Sequence, residues 1–297
     1  MKRTFLYIIM AALLTACGHR ASQQEQDTEA TESAELKVDS IGLEREDSMA
    51  SVKVSVAWPT EGNDSLVKAI RRYICEELGA RPYQEGTPTT MQYEDGEKAV
   101  KATVEEVYKE LQAMWQEVHD NGYNADMAYN NYINVILLED NDRYVTYLSN
   151  VEGFIGGAHG YASSKGRTFF KGNGRQFGYQ LEYHPKTNTF DIKEQTLFKD
   201  PASPKLAALI KEGVRGYIKQ LNEAPVSDEE LQTMLLGVDD VNRIPLPSVA
   251  PYFTKNGLAF VYQQYEIAPY SAGMVNFNIP YDEVRPLLTP EAAALLP

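Results

Sequence analysis

One helical stripe limits the folds open to this chain. Val100, Val104, Val107, Leu111, Met114 and Val118 recur at a 4-3-4-3-4 spacing, with Trp115 beside them. That spacing lays a single apolar face along a helix over residues 97–121. Such a face must be covered, by a sheet in the first instance or by a coiled-coil partner in the second. The sheet is at hand. NYINVILLED, RYVTYLSNVEGF, GRTFFKG, QFGYQLEYH and TFDIKEQTLF follow in order. Each is short and rich in β-branched and aromatic residues. Glu139-Asp140-Asn141-Asp142, Gly172-Asn173-Gly174 and Pro185–Asn188 separate them as turns. Connections this short join antiparallel neighbours. The expected fold class is α+β: a mainly antiparallel sheet with helices packed on one side.

The flanking segments extend this pattern. SVKVSVAWP alternates Val52, Val54, Val56 and Trp58 and reads as a half-buried strand ended by Pro59. Asn63 or Asp64 is placed to cap a helix carrying Leu66, Ile70, Tyr73 or Ile74, and Leu78, stopped by Gly79. A third helix over about 204–222 carries Leu206, Ile210, Val214, Tyr217 and Leu221, and Ser227 with Glu230 forms a capping-box pattern for a short helix through Leu236. Asn256-Gly257 opens a strand expected to run to Ile267. Pro269 to Gly273 turn the chain, and Val275, Phe277 and Ile279 alternate on the return. On this pattern Glu266 shares a face with Tyr262 and Gln264, opposite Tyr265 and Ile267. Residues 51–150 and 151–297 are expected to form one compact body.

The N-terminus reads as a targeting segment. Lys2 and Arg3 precede FLYIIMAALL, an apolar run too short to span a bilayer, and LTAC ends at Cys17. These features resemble the signal and lipobox of bacterial lipoproteins, with residues 1–16 removed and Cys17 lipidated. An ordinary secretory signal with a chance cysteine is the alternative. Gly18 after the cysteine favours the outer membrane by the same analogy. Residues 17–50 hold nine acidic side chains and are rich in Gln, Ser and Thr, so they are expected to form a flexible tether. The full chain has 28 Lys and Arg against 42 Asp and Glu, net −14, with no basic cluster. Nucleic acid is an unsuitable partner for such a chain, whereas a cationic protein is electrostatically favoured. With Cys17 lipidated, Cys75 stands alone and is expected to be buried in its helix.

Chemistry-bearing residues are sparse. GFIGGAHGY, residues 153–161, places His159 among Gly156, Gly157 and Gly160. No H-x-x-x-H spacing and no G-x-S-x-G nucleophile context accompanies it. The glycines have a sufficient backbone explanation in left-handed dihedrals or close strand approach, and His159 is expected to bond a carbonyl or a carboxylate, with Glu266 a candidate. Metal ligands, cofactors and a catalytic set are not expected. Tyrosines offer an apolar body with a polar tip, so a contact face is sought in Phe154, His159, Tyr161, Tyr265, Glu266 and Tyr270.

Two stretches together resemble a known family. VTYLSNVEGFIGGAHGYASSKGRTFF and GLAFVYQQYEIAPYSAGMVNFNIPYDEVRPLL are similar to segments of a domain of unknown function. That domain occurs in the ectodomain of the anti-sigma factor RsiV and in the non-catalytic part of the peptidoglycan deacetylase PdaC. The resemblance spans roughly 51–290 and implies an extracytoplasmic mixed α/β domain. It implies a binding role, with a cell-wall hydrolase such as lysozyme or a peptidoglycan fragment as ligand. Neither the sigma-binding nor the deacetylase part of those relatives is expected in this chain. A cell-wall-acting enzyme using His159 and Glu266, or a purely structural envelope lipoprotein, are the alternatives.

Overall fold

The computed structural model describes residues 35–80, 94–122, 127–184 and 189–296. The architecture is α+β, as expected. A six-stranded sheet runs in the order β1 (Lys37–Glu46), β2 (Ala50–Glu61), β3 (Tyr129–Asp140), β4 (Tyr144–Phe154), β5 (Tyr161–Phe170) and β6 (Gln176–Phe177). All neighbours are antiparallel except β2 and β3. That parallel pair follows from connectivity: α1 (Asp64–Gly79) and α2 (Gly96–Asp120) lie between them and carry the chain back across the sheet.

Both helices cover one face. Val52, Val54, Val56 and Trp58 of β2 are buried with Leu66, Ile70, Tyr73, Ile74 and Leu78 of α1. Val100, Val104, Val107 and Leu111 of α2 join the same core, whereas Met114 and Trp115 only border it. The apolar stripe therefore outlasts the sheet that covers it. The Asn63 side chain caps α1 by accepting from the Ser65 and Leu66 amides, and Cys75 is buried.

This half departs from the expected pattern at β1 and at Pro59. The expected tether, 17–50, includes β1, which pairs with β2 along its whole length. Its side chains are mostly exposed and half of them are charged, which suits a sheet edge; its order comes from backbone pairing, which composition does not register. Pro59 does not end β2. It sits opposite Val38 where the register shifts, and a bulged edge tolerates the missing amide.

A second core forms around α3 (Pro204–Asn222), α4 (Asp228–Met234), β9 (Tyr252–Thr254), β10 (Gly257–Val261), β11 (Asn276–Ile279), α5 (Tyr281–Val284) and α6 (Pro290–Ala293). The first strand of this group, β9, and β11 flank β10 antiparallel. Preceding it in sequence, β7 (Gln180–His184) and β8 (Thr189–Lys193) form a separate ribbon. The expected capping box of Ser227 and Glu230 opens α4. In α3 the buried residues are Leu206, Ile210, Val214 and Ile218. Leu221, expected on that face, is half exposed because the last turn runs past the core. Tyr252, Ala259 and Val261 pack on Leu138 and Leu148, on the sheet face opposite α1 and α2.

Candidate functional site

The β4–β5 connection and the segment leaving β10 meet to form the site. Gly156 and Gly157 have φ of 93° and 81°, left-handed dihedrals that disfavour side chains. A Cβ on Gly160 would lie 2.6 Å from the Gly153 carbonyl oxygen. The glycines thus meet backbone requirements, as expected, and the turn they build projects His159 into solvent.

The histidine has partners there. His159 Nδ1 lies 2.8 Å from the Gly160 carbonyl oxygen and Nε2 lies 2.9 Å from the Tyr265 hydroxyl. The carbonyl can only accept, so Nδ1–H donates to it and, in the neutral ring, Nε2 accepts the Tyr265 proton. The imidazole also stacks on Tyr270 at 3.8 Å between centroids, with planes 18° apart. Tyr265 and Tyr270 lie 5.8 Å apart, completing a three-ring cluster.

The opposing segment departs from the expected strand. β10 stops at Val261, and residues 262–275 form an irregular connection containing a tight turn at Tyr270–Ala272. Side chains hold it against β5. Gln264 Oε1 accepts the Ala162 amide at 2.8 Å, and Gln263 both accepts the Ser164 amide at 3.0 Å and donates to its carbonyl at 2.8 Å. β6 pairs only with Thr168 and Phe169, so two glutamine side chains replace a strand along the rest of that edge. No periodicity in the sequence marks this role.

Glu266 is not the partner of His159. Its carboxylate accepts from the Ser248 amide and hydroxyl and from the Gln263 amide. The expected face shared by Glu266, Tyr262 and Gln264 does not exist, because the backbone there is not a strand. Tyr265 is at φ 64° with 54% exposure. A bulky residue in that conformation is a backbone outlier, with strain of about 1–3 kcal/mol.

The remaining candidates divide. Tyr161 borders the same hollow as His159 and Tyr265, a space of about 410 Å³. Its hydroxyl also donates to Asn131 Oδ1 at 3.0 Å, so it serves the sheet as well. Phe154 sits edge-on to Tyr129 at 6.4 Å and packs on the first core, outside the ring cluster. Cys17 lies outside the described residues. His119 stacks on Trp115, far along the chain from this turn. Among the described residues, no three His, Cys, Asp or Glu side chains converge as a metal site, and no helix is long and apolar enough to cross a membrane.

The comparisons with known proteins agree with this architecture. The chain matches the crystal structure of a DUF3298 family member from Bacteroides fragilis NCTC 9343 at a TM-score of 0.62 and 19% identity, covering 86% of this chain and 94% of that one. It matches a DUF3298 family protein from Pseudomonas aeruginosa PAO1 at a TM-score of 0.53 and 13% identity, covering 89% and 96%. Similarity at this identity speaks to the fold. No curated protein matches the sequence. The family described as "Protein of unknown function (DUF3298)" matches residues 195–282, which include Tyr265, Glu266 and Tyr270 but not the His159 turn. Residues 195–282 are therefore a DUF3298 domain, set within a fold shared with solved members of that family.

Proposed function

We propose that this protein is a non-enzymatic binding module of the bacterial envelope, lipid-anchored at Cys17, with the His159–Tyr265–Tyr270 cluster as its contact face. One observation carries the reading: Tyr265 is exposed, backbone-strained and held in place by His159. Strain at an exposed aromatic has no role in packing a core, and such outliers concentrate at binding sites. Tyrosine supplies large contact area with few torsions to freeze. Net charge −14 favours a cationic partner, and a cationic cell-wall hydrolase of the lysozyme type fits that description and the resemblance; a peptidoglycan fragment is the other ligand considered. The lipobox-like pattern ending at Cys17 supports an envelope location, at the outer membrane. The direct test is binding of the purified protein to lysozyme-like proteins and to muropeptides, repeated with Tyr265→Ala and His159→Ala. Binding that both substitutions weaken supports the reading, while absence of both ligands, or binding indifferent to both substitutions, removes it. Incorporation of labelled palmitate that Cys17→Ser abolishes is the corresponding result for the anchor.

A further inference from the structure

A cleft of about 770 Å³ opens between α1, the β5–β6 connection, the strand Gln180–His184 and residues 248–250. Its volume falls within the roughly 300–1,000 Å³ of small-ligand sites. The lining joins two kinds of unmet polar group. Arg167 donates to Gln176 and lies over Tyr73, and Arg175 lies over Phe177, yet neither has a carboxylate partner among the described residues. In a chain with 42 acidic side chains, two such guanidiniums on one cleft are unexpected. Glu77, also on the lining, is 6% exposed, and among the described residues its Oε2 accepts no hydrogen bond. Lys165 Nζ, 3.7 Å away, forms an ion pair with that oxygen, at a separation longer than a hydrogen bond.

The opposite wall is fixed in advance. Tyr179 donates to the Pro247 carbonyl at 2.8 Å, Tyr262 donates to the Pro245 carbonyl at 2.7 Å, and Glu266 holds Ser248. Burial first, then the Glu266 charge, pushes the Tyr262 hydroxyl pKa up, so it keeps the proton it donates. A wall held this way needs little ordering when a ligand enters.

We propose that this cleft binds a short peptide with free ends, its ammonium at Glu77 and its carboxylate at Arg167 and Arg175. The carboxylate matches the guanidinium fork, and the ammonium supplies the donor that Glu77 lacks. The site is separate from the aromatic contact face, so it stands or falls independently of the proposed function.

Tetra-alanine tests it, because small side chains leave the termini to dominate. Calorimetric titration of the full protein should show binding that N-acetylation and C-amidation of the peptide each weaken by about tenfold or more. Arg175→Ala, at an exposed position, should reproduce the C-amide loss, and Glu77→Gln the N-acetyl loss, with a thermal melt showing that each variant is folded. No heat of binding up to about 10 mM peptide, a range that spans even weak association, overturns the proposal. So does binding that ignores both caps, or an Arg175→Ala protein that binds as tightly as the native one.

Discussion

The two cores of this molecule are held by different means. Between the six-stranded sheet and α1 and α2, apolar side chains at period two meet apolar side chains at helical spacing, and regular ladders satisfy the backbone. The second core has helix α3, but much of the rest is short strands and irregular chain. There, side chains take over the ladder's task. Tyr179, Tyr217, Tyr262 and Tyr281 each donate to a main-chain carbonyl, and Glu266 and Gln195 each accept from main-chain amides. Buried backbone polar groups must be paired whatever the local geometry. Where secondary structure is absent, specific side chains do the pairing. The candidate site lies where the two regimes meet, at a turn of the sheet touched by an irregular segment of the second core.

Substitutions that separate packing from hydrogen bonding test this contrast. The largest effect is expected in the first core: Ile70→Ala, at a position with 0% exposure, should cost about 2–5 kcal/mol in denaturant unfolding. A matched pair sharpens the comparison. Tyr262→Phe removes the donor to Pro245 and should cost about 1–3 kcal/mol. Tyr147→Phe makes the same change in the first core, where the Tyr147 hydroxyl is buried without a hydrogen-bond partner among the described residues, and should be neutral or stabilise by up to about 1 kcal/mol. Equal costs for the pair would break the contrast.

At the site itself, Tyr265→Gly relaxes the left-handed backbone while deleting ring contacts, so stability should stay within about 1 kcal/mol of the native chain. Partner binding should nevertheless be lost. A stability loss as large as that of Ile70→Ala would make Tyr265 a structural residue. The smallest effect concerns the β1–β2 turn. Bonds from the Tyr108 hydroxyl and from the Ala50 and Met49 amides hold the Asp47 carboxyl down to about 2. A lowered carboxyl stabilises the fold above its unfolded-state value and stops doing so as pH falls through the folded one. The native protein should therefore exceed Asp47→Asn in thermal stability at pH 6, and this advantage should vanish as pH approaches 2.

The same contrast explains what was legible beforehand. The stripe of α2, the alternation of β2, the Asn63 cap and the Ser227 capping box are patterns within one element, and local sequence carries them. Gly156 and Gly157 were readable as turn residues because their dihedral needs are local too. β1 is not legible in the sequence because an edge strand can be polar on both faces. A strand through Ile267 does not form: residues 262–267 look β-prone, but their backbone groups bond without a ladder, Tyr262 to Val275, Glu266 back to Gln263, and Ile267 to Leu236. Of the six contact candidates, His159, Tyr265 and Tyr270 come together, Tyr161 adjoins them, and Phe154 and Glu266 turn to structural work.

By itself the sequence determined the elements whose apolar spacing leaves one way to bury them, and the glycine turn that carries His159. Only the tertiary structure decided what His159 faces, what Glu266 holds, and that Arg167, Arg175 and Glu77 line one cleft. Those pairings join residues up to about a hundred positions apart in the chain, across irregular backbone. Such contacts are set by how two cores dock, a property of the whole packed chain that no local period encodes.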